Sequence, residues 1–167
     1  MVQVAQPKSL ETRSSDEAVV VFLRTSNFGG AVQSPVFDVS SEQTKYVAIV
    51  SAGTKYAYAV KPGTHRFMVL GETANFLEAD LLPGKTYYAR VSPRLGLWKA
   101  RFVFEPMPAS APGVDDDLNS CKWVENGETA FAWARENASS VEQKKVEGLR
   151  DWATEKGKPS LKKEDGR

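Results

Sequence analysis

Residues 60–91 carry two near-copies of one device, Val60-Lys61-Pro62-Gly63-Thr64-His65-Arg66-Phe67 and Leu82-Pro83-Gly84-Lys85-Thr86-Tyr87-Tyr88. In each copy an apolar strand end meets a Pro-Gly turn, and an apolar or aromatic strand leaves it. Proline presets φ near about −65° at the second position of a type II turn, and glycine supplies the positive φ required next. The device commits this stretch to extended segments joined by tight reversals.

The flanking sequence has the same grammar. Residues 18–23, Ala-Val-Val-Val-Phe-Leu, are a continuous apolar run rich in β-branched side chains. Such a run suits a strand covered on both faces, hence a central one. Asn27-Phe28-Gly29-Gly30 breaks it, and short strands are expected at 35–39 and 45–50. Tyr56-Ala57-Tyr58-Ala59-Val60 alternates large and small side chains. Period 2 puts the tyrosines on one face and leaves an alanine face that a second layer can approach closely. Further strands are expected at 66–70, 75–82, 87–91 and 98–104, with Phe102 and Phe104 on one face and Arg101, Val103 and Glu105 on the other. Short strands at intervals of roughly ten residues point to an antiparallel sandwich or barrel. No connection is long enough for a helical crossover, which argues against parallel pairing.

The period changes after the Pro-rich residues 106–114. Asp115-Asp116-Asp117 reads as a helix lead-in favoured by the macrodipole. One helix is expected over 128–137, carrying Ala130, Phe131, Trp133 and Ala134. A second is expected to start at Ser139, with Glu142 completing a capping box. Val141, Lys145, Leu149, Trp152 and Ala153 share one face of it, and Gly157 and Pro159 end it. Trp123, Phe131, Trp133 and Trp152 are expected to lay an aromatic face on the sandwich, with docking onto a second chain as the rival arrangement. Residues 1–17 read as a flexible lead and 158–167 as a charged tail.

Composition excludes several classes. A net charge of +1 gives no electrostatic argument for nucleic acid or an anionic membrane surface. The single cysteine, Cys121, forms no intrachain disulfide. No apolar run approaches the roughly 18 residues of a membrane span, and Gln3, Gln6, Lys8 and Ser9 follow Met1 too closely for a signal peptide. The start reads as a mature tail.

Chemistry-bearing residues are sparse. His65 is the only histidine and reads as a strand-edge polar residue rather than a base or metal ligand. Asn119-Ser120-Cys121-Lys122-Trp123 is no nucleophile signature, so Cys121 reads as an inert thiol, buried or half-buried. Asp115-Asp116-Asp117 lacks the spaced carboxylates of a calcium loop, and no Gly-rich phosphate loop is present. Asn137-Ala138-Ser139 fits a glycosylation sequon, a short pattern that chance supplies often. No catalytic residue, cofactor or metal is therefore assigned. Two surfaces remain. The loop Arg94-Leu95-Gly96-Leu97-Trp98 sets apolar residues beside a cation and either folds onto the core or anchors a partner. Tyr46, Tyr56, Tyr58 and Tyr88 are candidates to line a ligand cleft between sheet and helices.

Val21-Phe22-Leu23-Arg24, Val60-Lys61-Pro62-Gly63-Thr64-His65 and Gly84-Lys85-Thr86-Tyr87-Tyr88-Ala89-Arg90-Val91 together resemble a family of uncharacterised bacterial domains of envelope lipoproteins, similar in turn to PEGA-type sandwich repeats. The resemblance covers about residues 18–106 and implies a small β-sandwich, a periplasmic or envelope location and no known catalytic residues. Such lipoproteins begin with an acylated cysteine, which this chain lacks, so either an anchor was removed or this member is not lipidated. The expected fold is all-β: an antiparallel β-sandwich of seven or eight strands at 18–105, a linker at 106–114 and a short two-helix extension at 115–157. The expected function is that of a non-catalytic, envelope-associated structural or protein-binding module, with self-association through the helices as one form. The alternative is a β-sandwich that binds a small lipid or sugar.

Overall fold

A computed structural model describes residues 1–11, 13–26, 32–95 and 100–167. Eight strands overlap the expected positions: β2 (Ala18–Arg24), β3 (Ser34–Asp38), β4 (Lys45–Val50), β5 (Thr54–Val60), β6 (Gly63–Leu70), β7 (Ala74–Leu81), β8 (Thr86–Leu95) and β9 (Ala100–Met107), with β8 running on through Arg94 and Leu95, which the sequence reading assigns to a loop. Three two- to four-residue strands join them: β1 (Val2–Gln3), β10 (Lys122–Glu125) and β11 (Ser160–Leu161). The helices are α1 (Lys8–Glu11), α2 (Val114–Ser120), α3 (Glu128–Glu136) and α4 (Ala138–Thr154).

The strands form two mixed sheets. Sheet I has the order β1-β10-β5-β2-β8-β9, and sheet II the order β11-β7-β6-β3-β4. An all-β, purely antiparallel sandwich is therefore the wrong class: the chain is mixed α/β, 42% strand and 26% helix. β2 runs parallel to β8, β10 to β5 and β11 to β7. The expectation failed because it looked only for helical crossovers. Between β2 and β8 the chain visits the opposite sheet twice, through β3 and β4 and then, after β5 has returned antiparallel beside β2, through β6 and β7, and these excursions take the place of a helical crossover. Both Pro-Gly devices are consequently corners between sheets, not hairpin turns. Pro62-Gly63 carries β5 of sheet I into β6 of sheet II, and Pro83-Gly84 carries β7 back into β8. The glycines take positive φ there, 129° at Gly63 and 73° at Gly84.

The space between the sheets holds the main core. Phe22 meets Phe67 edge-on at a centroid distance of 5.1 Å and lies tilted against Phe104 at 5.8 Å, among Val20, Val36, Leu77, Tyr87 and Phe102. Each such buried side chain contributes roughly 1.5–3 kcal/mol of transfer free energy. The second reason the chain is not all-β lies outside this core, because both sheets are apolar on their outer faces too. On sheet I, Val19, Val21, Leu23, Ala57 and Tyr88 are covered by Leu10 of α1 and by Val114 and Leu118 of α2. The alanine face of β5 admits α1, whose Ser9 Oγ donates to the Ala57 carbonyl at 2.7 Å. On sheet II, Phe37, Met68, Leu70 and Phe76 are covered by Val141, Leu149 and Trp152 of α4 and by Trp133 of α3. The result is four layers, helix-sheet-sheet-helix, and it buries every residue of β2.

The segments read as lead, linker and tail are tied in. β1 pairs with β10, and the Lys8 amide donates to Glu125 at 2.7 Å. Pro106 and Met107 complete β9, and the Ala109 amide donates to the Asp165 carbonyl at 2.8 Å. Leu161 is buried, and Thr86 and Arg167 exchange backbone hydrogen bonds of 2.7 and 3.1 Å. The Ser139–Glu142 capping box does not form, because the cap lies two residues earlier at Asn137, whose carbonyl already accepts from the Val141 amide at 2.9 Å. Glu142 pairs instead with Lys145 at 2.6 Å. Asp115 and Asp117 stand in the first turn of α2 and are spent on Arg167 and Arg90.

Candidate docking site around α3

β10 ends at Glu125, and Asn126-Gly127 turns the chain into α3 beside β4, the edge strand of sheet II. Asn126 fixes that junction. Its Nδ2 donates to the Val47 carbonyl at 2.8 Å and to the Tyr56 hydroxyl at 3.2 Å, while its Oδ1 accepts from the Tyr46 hydroxyl at 3.2 Å. Burial raises both tyrosine pKa values, helped at Tyr46 by the Tyr56 oxygen and at Tyr56 by the Glu125 charge. Both phenols therefore stay neutral at physiological pH.

Against this fixed frame α3 exposes Phe131. The ring packs edge-on to Tyr46 at 5.8 Å yet remains 44% exposed. On one side is a groove of about 230 Å³ lined by Pro7, Ser9, Tyr56, Glu125 and Asn126, and on the other a shallow surface of Glu128, Thr129, Ala132 and Arg135. Val2, at 56% exposed, stands over the start of the same helix, where a methyl group on Gly127 would touch it at 3.4 Å. The far side of α3 holds a cleft of about 250 Å³ between Trp133, Leu70, Pro35 and Val141, with Ser140 and Lys144 at its rim.

The four tyrosines proposed from sequence do not share this place. Tyr46 and Tyr56 converge on Asn126. Tyr58 turns into the sandwich rim, where its hydroxyl donates to Asp38 at 3.3 Å. Tyr88 faces out from sheet I, where Arg167 Nε donates to its hydroxyl at 3.0 Å. The parity of β8 separates them, since Tyr87 takes the inward position and Tyr88 the outward one. Of the loop surface, Arg94 lies on β8 and donates to Glu105 of β9 at 2.6 Å, and Leu95 ends that strand. Leu97 and Trp98 lie outside the described residues.

Cys121 and His65 sit on different layers. The thiol is buried on the outer face of sheet I with its pKa raised, chiefly by burial. His65 lies at the Pro62-Gly63 corner beside Asp38 and Ser40, a cluster that sequence reasoning missed. Ser40 Oγ is 3.1 Å from His65 Nδ1, and the same nitrogen faces Asp38 Oδ2 at 3.7 Å, while Nε2 lies 2.8 Å from the Lys61 carbonyl. A serine relay needs hydroxyl and carboxylate on opposite ring nitrogens. Here both crowd one nitrogen, so the cluster is not a relay. Asn126 and Phe131 also escaped notice, the first because Asn-Gly reads as a bare turn and the second because it stood among aromatics expected to be covered.

No helix among the described residues is long and apolar enough to cross a membrane. Comparison with family models and with curated proteins returned no match to this chain.

Proposed function

We propose that this chain is a non-catalytic protein-binding module of the bacterial cell envelope that docks its partner through Val2 and Phe131. The observation that carries the docking surface is that both border the start of α3. Two of the most exposed large apolar side chains among the described residues stand at one helix start, on a junction held by three Asn126 hydrogen bonds. A rigid aromatic next to a groove is the form that interface anchors take, and little entropy remains to be lost when it is covered. The envelope setting is supported by the strand-and-turn resemblance alone.

A photo-crosslinking residue placed at Phe131 or at Val2 tests this in cells, with Val146, exposed on α4, as the control position. A discrete protein adduct from the first two positions and none from the third is the expected result. Equal or absent labelling at all three positions rejects the surface, and an adduct of twice the chain mass makes the partner a second copy. The cleft behind Trp133 favours a second reading, carriage of a small lipid or sugar. A saturable fluorescence change on titration that Trp133→Phe abolishes supports it, and a flat response counts against it.

A further inference from the structure

His65 is the chain's only histidine, and its surroundings favour one protonation state by hydrogen-bond accounting. Ser40 Oγ accepts from the Arg66 amide at 3.0 Å and gives its one hydrogen to Asp38 Oδ1. It has no hydrogen left for His65 Nδ1, 3.1 Å away. The contact is favourable only when Nδ1 itself carries a proton. Nε2 faces the Lys61 carbonyl at 2.8 Å, which is an acceptor only, so Nε2 must carry one as well. The ring that satisfies both contacts while Ser40 keeps its hydrogen on Asp38 is the imidazolium. Its counter-charge is the Asp38 carboxylate, and the two side chains are only 12% and 7% exposed. The other groups facing the pair are Tyr58 of β5, which donates to Asp38, and Lys45 of β4, whose like charge opposes protonation. Arg66, next along β6, is engaged by Glu78 at 3.0 Å.

The cluster also reaches the helices. Ser40 opens the polar turn 40–44, and at its other end Thr44 Oγ1 accepts from Lys145 Nζ of α4 at 2.7 Å. One turn is thus held by β6 on one side and by α4 on the other. We propose that His65 is a proton-operated latch: the imidazolium clamps the 40–44 turn to the Pro62-Gly63 corner, and deprotonation releases the turn and loosens its hold on α4. This inference stands whatever the Phe131 surface binds. When the ring is neutral and keeps its proton on Nε2 for Lys61, the Ser40 hydroxyl must either turn away from Asp38 to donate to Nδ1 or face it lone pair to lone pair, and the turn is the softer side to move.

The pH window follows from the signs. The Asp38 interaction raises the His65 pKa above its usual 6.5, burial opposes this, and the Lys61 carbonyl adds to the rise. A raised histidine pKa contributes stability that is complete below about pH 6.5 and is lost as pH climbs through the folded value. Burial works to raise the Asp38 pKa, but hydrogen bonds from His65 and Ser40 outweigh it and the net direction is down from 3.8. The carboxylate's share is therefore present above about pH 4 and lost on further acidification. The latch is closed between these limits.

One imidazole gives one resolved signal, so an NMR titration of the intact chain is the test. The expected midpoint lies above 6.5, the amides of residues 40–44 and of Lys145 report the same midpoint, and Asp38→Asn brings it down to the ordinary value or lower. The thermal midpoint of the native chain is expected to fall between pH 6 and 9, while that of His65→Gln stays flat. A native midpoint at or below 6.5 overturns the proposal. So does a raised midpoint that no amide in the turn follows. Both of these outcomes are read on the native chain, so a variant that fails to fold does not shield the proposal.

Discussion

α3 and α4 follow one another with only Asn137 between them, lie over the same sheet, and are packed to different standards. α4 buries Val141, Gly148 and Trp152. It comes so near β7 that a methyl group on Gly148 would stand 2.8 Å from the Ala74 methyl and 3.1 Å from the Ala74 carbonyl oxygen. α3 buries Ala130 alone and is bordered by hollows on both flanks. The aromatics divide in the same way. Trp152 lies against Phe76 at 5.6 Å and is buried, whereas Phe131 touches Tyr46 and faces outward. The difference separates a helix that completes the fold from one that the fold holds out toward solvent.

Substitutions can break that distinction, and their expected costs form a descending series. Trp152→Ala leaves a hole between α4 and β7 and is expected to lower stability by about 3–5 kcal/mol in denaturant unfolding. Gly148→Ala, nominally helix-favouring, is expected to cost about 1–3 kcal/mol, because the added methyl meets backbone as well as side chain. A neutral or stabilising result there would mean that α4 sits further from β7. Asn126→Ala removes the hydrogen bonds that fix the start of α3 and is expected to cost about 1–2 kcal/mol in denaturant unfolding. Phe131→Ala gives up one edge-on ring contact and is expected to cost no more than about 1 kcal/mol, while it abolishes the crosslinked adduct. If Phe131→Ala proves as destabilising as Trp152→Ala, the two helices are alike and Phe131 is a core residue.

Sequence reasoning reached some of this and missed the rest for definable reasons. Strand positions were legible because period 2 and the Pro-Gly pairs are local signals. β2 was legible as central because Ala18 to Leu23 has no polar face. Pairing direction was not legible, since nothing in residues 18–24 or 86–90 records that the intervening chain crosses to another sheet and returns. The cover on sheet I was hidden as well. α1 and α2 are four and seven residues long, too short to show a helical period, and their apolar content is a few residues such as Leu10, Val114 and Leu118. At the candidate site the aromatic residues of β4 and β5 stood out. The exposure of Phe131 did not, because Ala130, Phe131, Trp133 and Ala134 wrap more than one side of α3. The serine and aspartate beside His65 were invisible for the same reason as the parallel pairs: β6 brings them together from a distance.

The parallel pairs formed by β10 and β11 also have a consequence for synthesis. Both sheets gain an outer strand from residues that follow the sandwich in the chain: β10 covers β5 and β11 covers β7. A ribosome adds about 5–20 residues per second, so β5 and β7 emerge seconds before the strands that will cover them. During that interval the nascent domain presents two unpaired edges, the condition under which neighbouring chains add strands to one another. Lys55 on β5, Lys61 just beyond its end, and Glu78 and Asp80 on β7 supply the charge on those edges until translation reaches the C-terminal third. Yield and aggregation in cells should therefore respond to the speed of translation through residues 108–161 more than to substitutions in the sandwich surface.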